Sequence, residues 1–252
     1  MMLPEVSLVI GAYNCEDEIG KTLEEVQRYF KNQPYSHEVI VVNDGSSDGT
    51  EAILRIGIQG YPELRVFTNE RNQGKGYSVK RGIREARGQF VFYTDADHAY
   101  PLEGLTAFLE LLWNGMHQVV VGSRVHTGSL FHLHPRYFRY VYRRHLMSRF
   151  FNRLVRNMLG IQVMDTQCGF KGFTKEAAQA IFSMVRVSGF AFDVEVLLIA
   201  QRLGLQIMEI PVTFAYSGEV STVRMINNAA QALVDLGRIY WWDCRGTYGK
   251  PY

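Results

Sequence analysis

Short apolar runs alternate with amphipathic helical patterns along the first half of the chain. Strands are predicted where apolar residues follow one another, and helices where they recur every three or four positions. The predicted strands are Val6–Ile10, Glu38–Val42, Leu64–Phe67, Gln89–Tyr93 and Gln118–Val121. The predicted helices between them are Glu16–Phe30, a helix from Thr50, and one from about Gly76 to Ala86. This alternation predicts an α/β fold with a mostly parallel central sheet and flanking helices.

A long basic segment dominates the second half, and Pro135 to Gly160 is predicted to be one arginine-rich helix. Between Glu110 and Asp165 the sequence has no acidic residue, but it has eight arginines and five of the seven histidines. The positive charge is therefore concentrated in one segment, although the net charge of the chain is only +2. Further helices are predicted at Val194–Leu203 and Val223–Trp242, with a short apolar run at 206–214 between them.

Composition excludes several classes of protein. With 252 residues, 47% hydrophobic and 21% charged, the chain is too apolar to be disordered, and we expect one domain over residues 1–252. The three cysteines are far apart, which argues against a disulfide framework or a zinc knuckle and fits a reducing compartment. Neither a signal peptide nor a membrane span is expected from the sequence. The near balance of charges also argues against a nucleic-acid-binding protein.

Polar residues follow the first, second and fourth predicted strands, at the sheet edge where open α/β folds bind ligands. The turn Asn43–Thr50 after the second strand contains Asp44 at the strand tip, where a carboxylate can accept two hydrogen bonds from a nucleobase. Ser46, Ser47 and Asp48 in the same turn equally suit an ordinary turn and a helix N-cap. The turn alone is therefore weak evidence for a ligand site.

Two carboxylates, Asp95 and Asp97, follow the fourth strand with only Ala96 between them. Two neighbouring anions repel each other unless a cation is shared, and hard oxygen ligands suit Mg²⁺ or Mn²⁺. Such an ion could carry the diphosphate of a sugar nucleotide. A simple turn with an N-cap for the next helix is the alternative, which the presence of Asp44 makes less favourable.

Taken together and in this order, the motifs resemble the family 2 glycosyltransferases of GT-A fold. Within that family the chain is similar to the branch that makes dolichyl- or polyprenyl-phosphate sugars, which includes the dolichyl-phosphate glucosyltransferases and mannosyltransferases. The resemblance extends from about Val6 to Arg224. It is carried by the segments Val6–Asn14, Val41–Thr50, Asn69–Gly76, Asp95–Asp97, Gly122–Arg124, Asp165–Lys171 and Phe192–Glu195.

The resemblance implies a metal-dependent, inverting enzyme that moves glucose or mannose from a UDP- or GDP-sugar to a polyprenyl or dolichyl phosphate. It implies that about residues 1–122 bind the nucleotide sugar and about 123–252 the acceptor. It implies a donor site formed by Ala12, Tyr13, Val42, Asp44, Asp95 and Ala96. The implied metal ligands for Mg²⁺ or Mn²⁺ are Asp95 and Asp97, the acceptor-phosphate residues are Arg124, Arg144 and Ser148, and the catalytic residues are Asp97, Arg124 and Arg144.

The sequence departs from the family pattern at four positions that touch the donor, so the nucleotide stays open. Glu16 could supply a carboxylate that the pattern has one residue earlier. Two alternatives also stay open: a family 2 transferase that acts on a saccharide or another small acceptor, with Asp165 as the first candidate base, and a non-catalytic nucleotide-sugar-binding module. A dinucleotide oxidoreductase is disfavoured because Gly74-Lys-Gly76 lacks the third glycine of that fingerprint. The departures are Gly11, Cys15, Asn43 and Ala99, where the family pattern has proline, glutamate, aspartate and glutamine.

The predicted arginine-rich helix suits an anionic lipid acceptor. Arg144 and Ser148 are four residues apart and so share one helical face, which lets both reach one phosphate. Basic helices with interleaved aromatic residues also lie on anionic membranes, although a solvated basic face or a nucleic-acid-binding patch is the plainer alternative. We therefore expect a cytoplasmic protein that is peripheral on the cytoplasmic face of a membrane, with an oligomeric state that the sequence does not indicate.

Overall fold

The computed structural model describes residues 3–216 and 223–249, without the side chains of residues 140, 143, 144, 216 and 223–229. The described residues form a seven-stranded sheet with the strand order β3-β2-β1-β4-β7-β5-β8, in which β7 runs antiparallel to both of its neighbours. Strands β6 and β9 pair with each other in a small parallel sheet. The strands are β1 Val6–Ala12, β2 His37–Asn43, β3 Leu64–Thr68, β4 Phe90–Asp95, β5 Val119–Ser123, β6 Leu130–Leu133, β7 Lys171–Thr174, β8 Ile207–Pro211 and β9 Thr213–Tyr216.

Helices cover both faces of the large sheet. Helices α1, α2 and α4 pack on one face, against side chains such as Leu8 and Ile10 of β1. Helices α3, α6 and α7, together with parts of α5 and α8, pack on the other face, where Val9 of the same strand lies. The helices are α1 Glu16–Lys31, α2 Thr50–Gly60, α3 Lys75–Glu85, α4 Leu105–Trp113, α5 Phe138–Leu159, α6 Lys175–Met184, α7 Phe192–Arg202 and α8 Val223–Cys244.

The predicted strands and helices occur within a few residues of their expected bounds, and the predicted mostly parallel α/β architecture is confirmed. Two details differ. The apolar run 206–214 is divided at Val212 into β8 and β9, which belong to different sheets. Strand β7 was not predicted, because its four residues Lys-Gly-Phe-Thr show no apolar run, yet it lies between β4 and β5 in the middle of the sheet.

Strand pairing brings the predicted polar turns together. Gly11 in β1 is in register with Val42 of β2 on one side and with Asp95 of β4 on the other. The residues that follow these three parallel strands therefore emerge side by side at one edge of the sheet. No helix in the described residues is long and apolar enough to cross a bilayer.

Candidate active site

The turns after β1 and β2 are joined by hydrogen bonds. The Asn14 amide donates to Ser46 Oγ (3.0 Å), and the Ser47 amide donates to Asn14 Oδ1 (2.9 Å). Glu16 Oε2 accepts from the Gly49 amide (2.5 Å), so its carboxylate is used on the neighbouring turn. Ser46 and Ser47 thus stabilise the two turns, which is one of the two roles that the sequence analysis considered for them. Together these bonds fix the shape of the edge next to Asp44.

The Asp44 carboxylate is buried and holds the segment that leads into α3. Its Oδ1 accepts from Asn69 Nδ2 (2.6 Å) and from the Gln73 amide (3.0 Å), and its Oδ2 accepts from the Gly74 amide (2.8 Å). A carboxylate offers about four acceptor positions, so little of this group is left for a ligand. Contact with a base stays a prediction, and the bonds that are observed shape the rim of the donor site.

Asp95 ends β4 and forms an ion pair with Lys75, the first residue of α3. Burial works against the charge of this lysine, but Asp95 and the more distant Asp193 outweigh it and raise the pKa of Lys75. Asp97 follows Asp95 by two residues and is itself exposed. Partial loss of solvation of its carboxylate by neighbouring protein atoms, and then the charge of Asp95, raise the pKa of Asp97 to about 6.

A glycine lets the chain pass directly beside Asp95. A Cβ added at Gly169 would overlap Asp95 Oδ2, so no larger residue fits there without a shift. The Gly169 amide donates to the hydroxyl of Tyr100 (3.3 Å), whose ring stacks on Phe170 with 6.1 Å between ring centroids. The segment from Asp165 to Gly169 therefore lies directly against the end of β4, where the two predicted metal ligands are found.

A buried charged cluster lies beneath this edge. Lys171 is fully buried in β7, and its Nζ donates to Asp193 Oδ1 (2.5 Å) and to the Cys168 carbonyl (2.5 Å). The Tyr93 hydroxyl of β4 donates to the same Asp193 oxygen (2.6 Å). Each buried charge is thus paired, as the cost of burying charge requires. The cluster ties β4, β7 and α7 together directly below the site.

Arg124, at the end of β5, is held by Asp165 through two side-chain bonds and one backbone bond. Its Nε and Nη2 donate to the two carboxylate oxygens (2.7 and 2.9 Å), and its amide donates to Oδ2 (2.9 Å). Burial alone would raise the pKa of Asp165, but the bonds from Arg124 lower it to about 2. A guanidinium has five N–H bonds, so those not used on Asp165 stay available to an anion.

Helix α5 lies beside this ion pair. Asn152 of α5 accepts from the Thr166 amide (3.2 Å) and hydroxyl (2.5 Å), which fixes the helix to the segment after Asp165. Burial, and then the charges of Arg149 and Arg124, lower the pKa of His145 on the same helix. Of the predicted acceptor residues on α5, Ser148 is half-buried, whereas the side chain of Arg144 lies outside the described part of the structure.

The other predicted donor residues occupy the same sheet edge. Ala12 and Val42 are buried at the ends of β1 and β2, and the Asp44 amide donates to the Ala12 carbonyl (2.8 Å). Tyr13 is 40% exposed, and the Ala96 carbonyl accepts from Thr22 Oγ1 (2.6 Å). The structure thus brings the predicted donor residues together, while their contacts with a nucleotide stay a prediction.

Asp95 and Asp97 fit a divalent ion only as an incomplete ligand set. Within residues 3–216 and 223–249 no three His, Cys, Asp or Glu side chains are grouped so that they could hold a metal ion. Two carboxylates with mutual repulsion are nonetheless suited to Mg²⁺ or Mn²⁺, which commonly take their remaining ligands from water and substrate phosphates. The donor set therefore suits an ion that binds together with a diphosphate.

A family model described as glycosyl transferase family 2 matches residues 7–182, which contain β2, β4 and all of β1 except its first residue. The chain belongs to glycosyl transferase family 2. Among curated relatives, it is 36% identical over 222 residues to a human dolichyl-phosphate beta-glucosyltransferase, covering 83% of this chain and 67% of the relative. It is 32% identical over 246 residues to a dolichyl-phosphate beta-glucosyltransferase of Trichomonas vaginalis, covering 93% and 72%. The chain spans 66% of a similar Dictyostelium discoideum enzyme.

Solved structures confirm the GT-A fold that the sequence predicted. Glucosyl-3-phosphoglycerate synthase from Mycobacterium tuberculosis superimposes with a TM-score of 0.69 at 20% identity, covering 94% of this chain and 80% of that chain. That enzyme has been crystallised with UDP, and also with Mn²⁺, UDP and phosphoglyceric acid. At this identity the likeness establishes the shared fold alone.

This family 2 glycosyltransferase uses several residues to which the sequence analysis gave no role. Lys75, Lys171 and Asp193 lie inside motifs that carried the resemblance. The pair of Lys171 with Asp193 depends on β7 lying between β4 and β5, and the pair of Lys75 with Asp95 depends on α3 beginning beside the end of β4. The role of Gly169 could not be predicted from the sequence either, because its contact is with Asp95, which is far from it in the chain. The one signal in the sequence was a lysine between two glycines, Gly74 and Gly76.

Proposed function

We propose that this glycosyltransferase moves a hexose, most consistently glucose from UDP-glucose, to the phosphate of a polyprenyl or dolichyl phosphate at a membrane surface. The relatives named dolichyl-phosphate beta-glucosyltransferase support both the sugar and the acceptor. The donor would lie at the edge formed by β1, β2 and β4, and the acceptor phosphate near Arg124. The reaction is proposed to take place on the cytoplasmic face of the membrane.

The observation that best supports a lipid acceptor is a row of exposed apolar side chains along α5, called here the apolar ridge. Its members are spaced four residues apart, so they form one continuous row on the helix surface. Large apolar side chains exposed together are typical of membrane or partner contacts rather than of a monomer in water. Exposed arginines such as Arg139 and Arg153 flank the row and suit anionic lipid. The ridge consists of Phe138, Tyr142, Leu146, Phe150 and Leu154, which are 60%, 53%, 48%, 75% and 39% exposed.

An ionised phosphate acceptor needs no general base. In the proposed reaction a phosphate oxygen attacks the anomeric carbon and forms the new C–O bond as the bond to the nucleotide diphosphate breaks, so configuration inverts. A phosphate monoester is largely ionised near pH 7, and no proton has to be removed. Asp165, the first candidate base for a sugar hydroxyl, is tied to Arg124, and its pKa of about 2 makes it a poor base near neutrality. This favours the phosphate acceptor over a saccharide.

Asp95 and Asp97 are the residues that would hold Mg²⁺ or Mn²⁺ in this proposal. When bound, the ion would offset the negative charge that develops on the departing diphosphate. Lys75 keeps Asp95 in place at the strand end, and Gly169 leaves room for the Asp95 carboxylate. These contacts orient the ligands before substrate arrives, which reduces the cost of assembling the site.

On the acceptor side, Arg124 is oriented by Asp165 and presents its unused N–H bonds to the lipid phosphate. Arg144 and Ser148 are proposed to complete that phosphate site from one face of α5. Positioning of the nucleophile and stabilisation of the leaving group then supply the catalysis.

Purified protein incubated with Mg²⁺, labelled UDP-glucose or GDP-mannose and a panel of acceptors tests the proposal. Label should pass to a short-chain polyprenyl phosphate and not to the matching polyprenol, which lacks the phosphate but keeps the chain. Transfer to 3-phosphoglycerate or to a saccharide in preference to the lipid would contradict the proposed acceptor. Transfer from GDP-mannose alone would contradict the proposed donor while leaving the acceptor intact.

A further inference from the structure

A basic groove of about 820 Å³ lies between the C-terminal half of α5 and the chain that follows it. Three arginines of α5 line it, and none of the described residues in its lining is acidic. Its other wall includes Val125 and Met164, the chain neighbours of Arg124 and Asp165. The groove therefore borders the proposed acceptor site, and neither Arg124 nor Ser148 is among the described residues that line it. Gly160, Ile161 and Gln162 also line the groove.

The three groove arginines, Arg149, Arg153 and Arg156, have no ion-pair partner among the described residues. The carboxylate of Glu209 contacts one end of the wall, but its two oxygens accept from the Met164 and Asp165 amides (2.9 and 2.8 Å). Three like charges on successive turns of one helix repel each other. A bound anion would relieve that repulsion, and arginine is the side chain best suited to phosphate.

Asn152 supplies a second, independent sign of a ligand. The residue lines the groove and is 4% exposed. The backbone amide of Thr166 donates to its Oδ1, which fixes the orientation of the carboxamide, because a nitrogen could not accept that bond. Its Nδ2 is then buried without an acceptor among the described residues. Leaving such a donor unsatisfied is costly, and an anionic oxygen drawn in by the arginines would satisfy it once the side chains around Nδ2 shift to admit it.

The wall opposite the arginines is held in place by the chain's own bonds. Gly160 ends α5 with a left-handed φ of +66°, and its amide donates to the Arg156 carbonyl (2.8 Å). Gln201 of α7 donates to the Gly160 carbonyl (2.9 Å) and accepts from the Gln162 amide (3.2 Å). A groove with fixed walls loses little entropy when a ligand binds.

We infer that this groove binds the phosphate of an anionic lipid headgroup, at a site separate from the acceptor phosphate held by Arg124, Arg144 and Ser148. The choice of a lipid over a free anion follows from Phe150, which lines the groove and is also the most exposed member of the apolar ridge. A headgroup in the groove would therefore have its acyl chains beside the ridge. The inference rests on the proposed membrane contact of α5, and it would give that contact a defined anchor.

Flotation with vesicles of phosphatidylcholine containing a minor fraction of phosphatidylglycerol tests the inference. The double variant Arg153→Gln/Arg156→Gln removes two groove charges, and Arg136→Gln/Arg139→Gln removes two exposed charges from the start of the same helical region as a matched control. The groove variant should lose about tenfold or more in vesicle affinity, and the control clearly less. Equal losses from the two variants would show diffuse attraction and overturn the inference.

The substitution Asn152→Asp tests the proposed anion site without leaving a cavity in the core. Aspartate keeps the oxygen that Thr166 needs but removes both N–H donors and adds a negative charge, so vesicle affinity should fall as in the groove variant. Unchanged affinity in this folded variant would contradict the site. Inorganic phosphate that binds the wild type by calorimetry, and abolishes flotation, would show a free-anion site instead.

The two proposals fail in different assays. If vesicle binding depends on the groove but no sugar is transferred to a lipid phosphate, the proposed function fails and the inference stands. If sugar transfer to a short-chain acceptor proceeds while the groove variant and its control bind vesicles equally, the inference fails and the proposed function stands.

Discussion

The ion pair between Arg124 and Asp165 should make a measurable, pH-dependent contribution to stability. The pKa of Asp165 lies at about 2, against an ordinary value of 3.8, and the carboxylate is almost fully buried. This lowering of the pKa corresponds to about 2 kcal/mol of stabilisation at neutral pH. Because the folded-state pKa is lowered, this stabilisation is present above about pH 4 and is lost as the pH falls through about 2. Asp165→Asn should remove it.

The assay is urea denaturation of wild type and Asp165→Asn between pH 7 and pH 3. The free energy of unfolding should differ by about 2–3 kcal/mol at pH 7, and linkage reduces the difference to about half at pH 3. Glu110→Gln is the control, because Glu110 is exposed on α4 and has no ion pair in the described structure. It should change stability by less than about 0.5 kcal/mol at either pH. A difference for Asp165→Asn that is independent of pH, or as small as the control's, would refute the reasoning.

Three further changes test other parts of the site. Chelation should abolish turnover, and Asp97→Asn should lower kcat at least about a hundredfold, or roughly 2.7 kcal/mol, in a steady-state assay; full activity in chelator would be inconsistent with a metal. Asp44→Ala should weaken UDP binding by about tenfold or more in calorimetry, since three hydrogen bonds to the rim are lost; an unchanged affinity would remove Asp44 from donor binding. Gly169→Ala should reduce kcat by about tenfold or more because its Cβ overlaps Asp95, whereas Gly60→Ala, with nothing within 4 Å, should not; equal activity of the two variants would count against the close contact.

Local pattern was sufficient for most of the fold. Buried parallel strands contain apolar runs such as Val39 to Val42 of β2, and the amphipathic helices show their apolar face directly. Strand β7 was missed because its stability comes from its neighbours: Lys171 can be buried in the sheet because its Nζ pairs with Asp193, which also accepts from the Tyr93 hydroxyl. Charge pairs that depend on tertiary contact leave no periodic signal in the sequence.

The site was predictable where residues are close in sequence and follow a strand. Asp95 and Asp97 share one turn, and parallel pairing brings Asp44 to the same edge. Contacts across the chain could not be foreseen, such as Asp44 holding the segment before α3 or Asp165 occupying part of the Arg124 guanidinium. Each of these contacts joins segments that are distant in the sequence and meet only in the folded chain.

The apolar ridge and the groove of α5 show a similar limit. The sequence predicted an arginine-rich helix with interleaved aromatic residues, which is typical of several surfaces. Which side is exposed depends on where Val155 and Leu159 enter the core. With that face fixed, Phe150 falls on the open side and the groove arginines lie next to it.

The product formed from UDP-glucose, Mg²⁺ and a short-chain dolichyl phosphate is the most direct test of the proposed reaction. Mass spectrometry and phosphorus NMR should show the lipid phosphate joined to one hexose through a phosphate oxygen, with the anomeric configuration opposite to that of the donor. The product should be absent with Asp97→Asn. A product in which the sugar is joined to a hydroxyl group, or release of free glucose with no change in the lipid, would contradict the account.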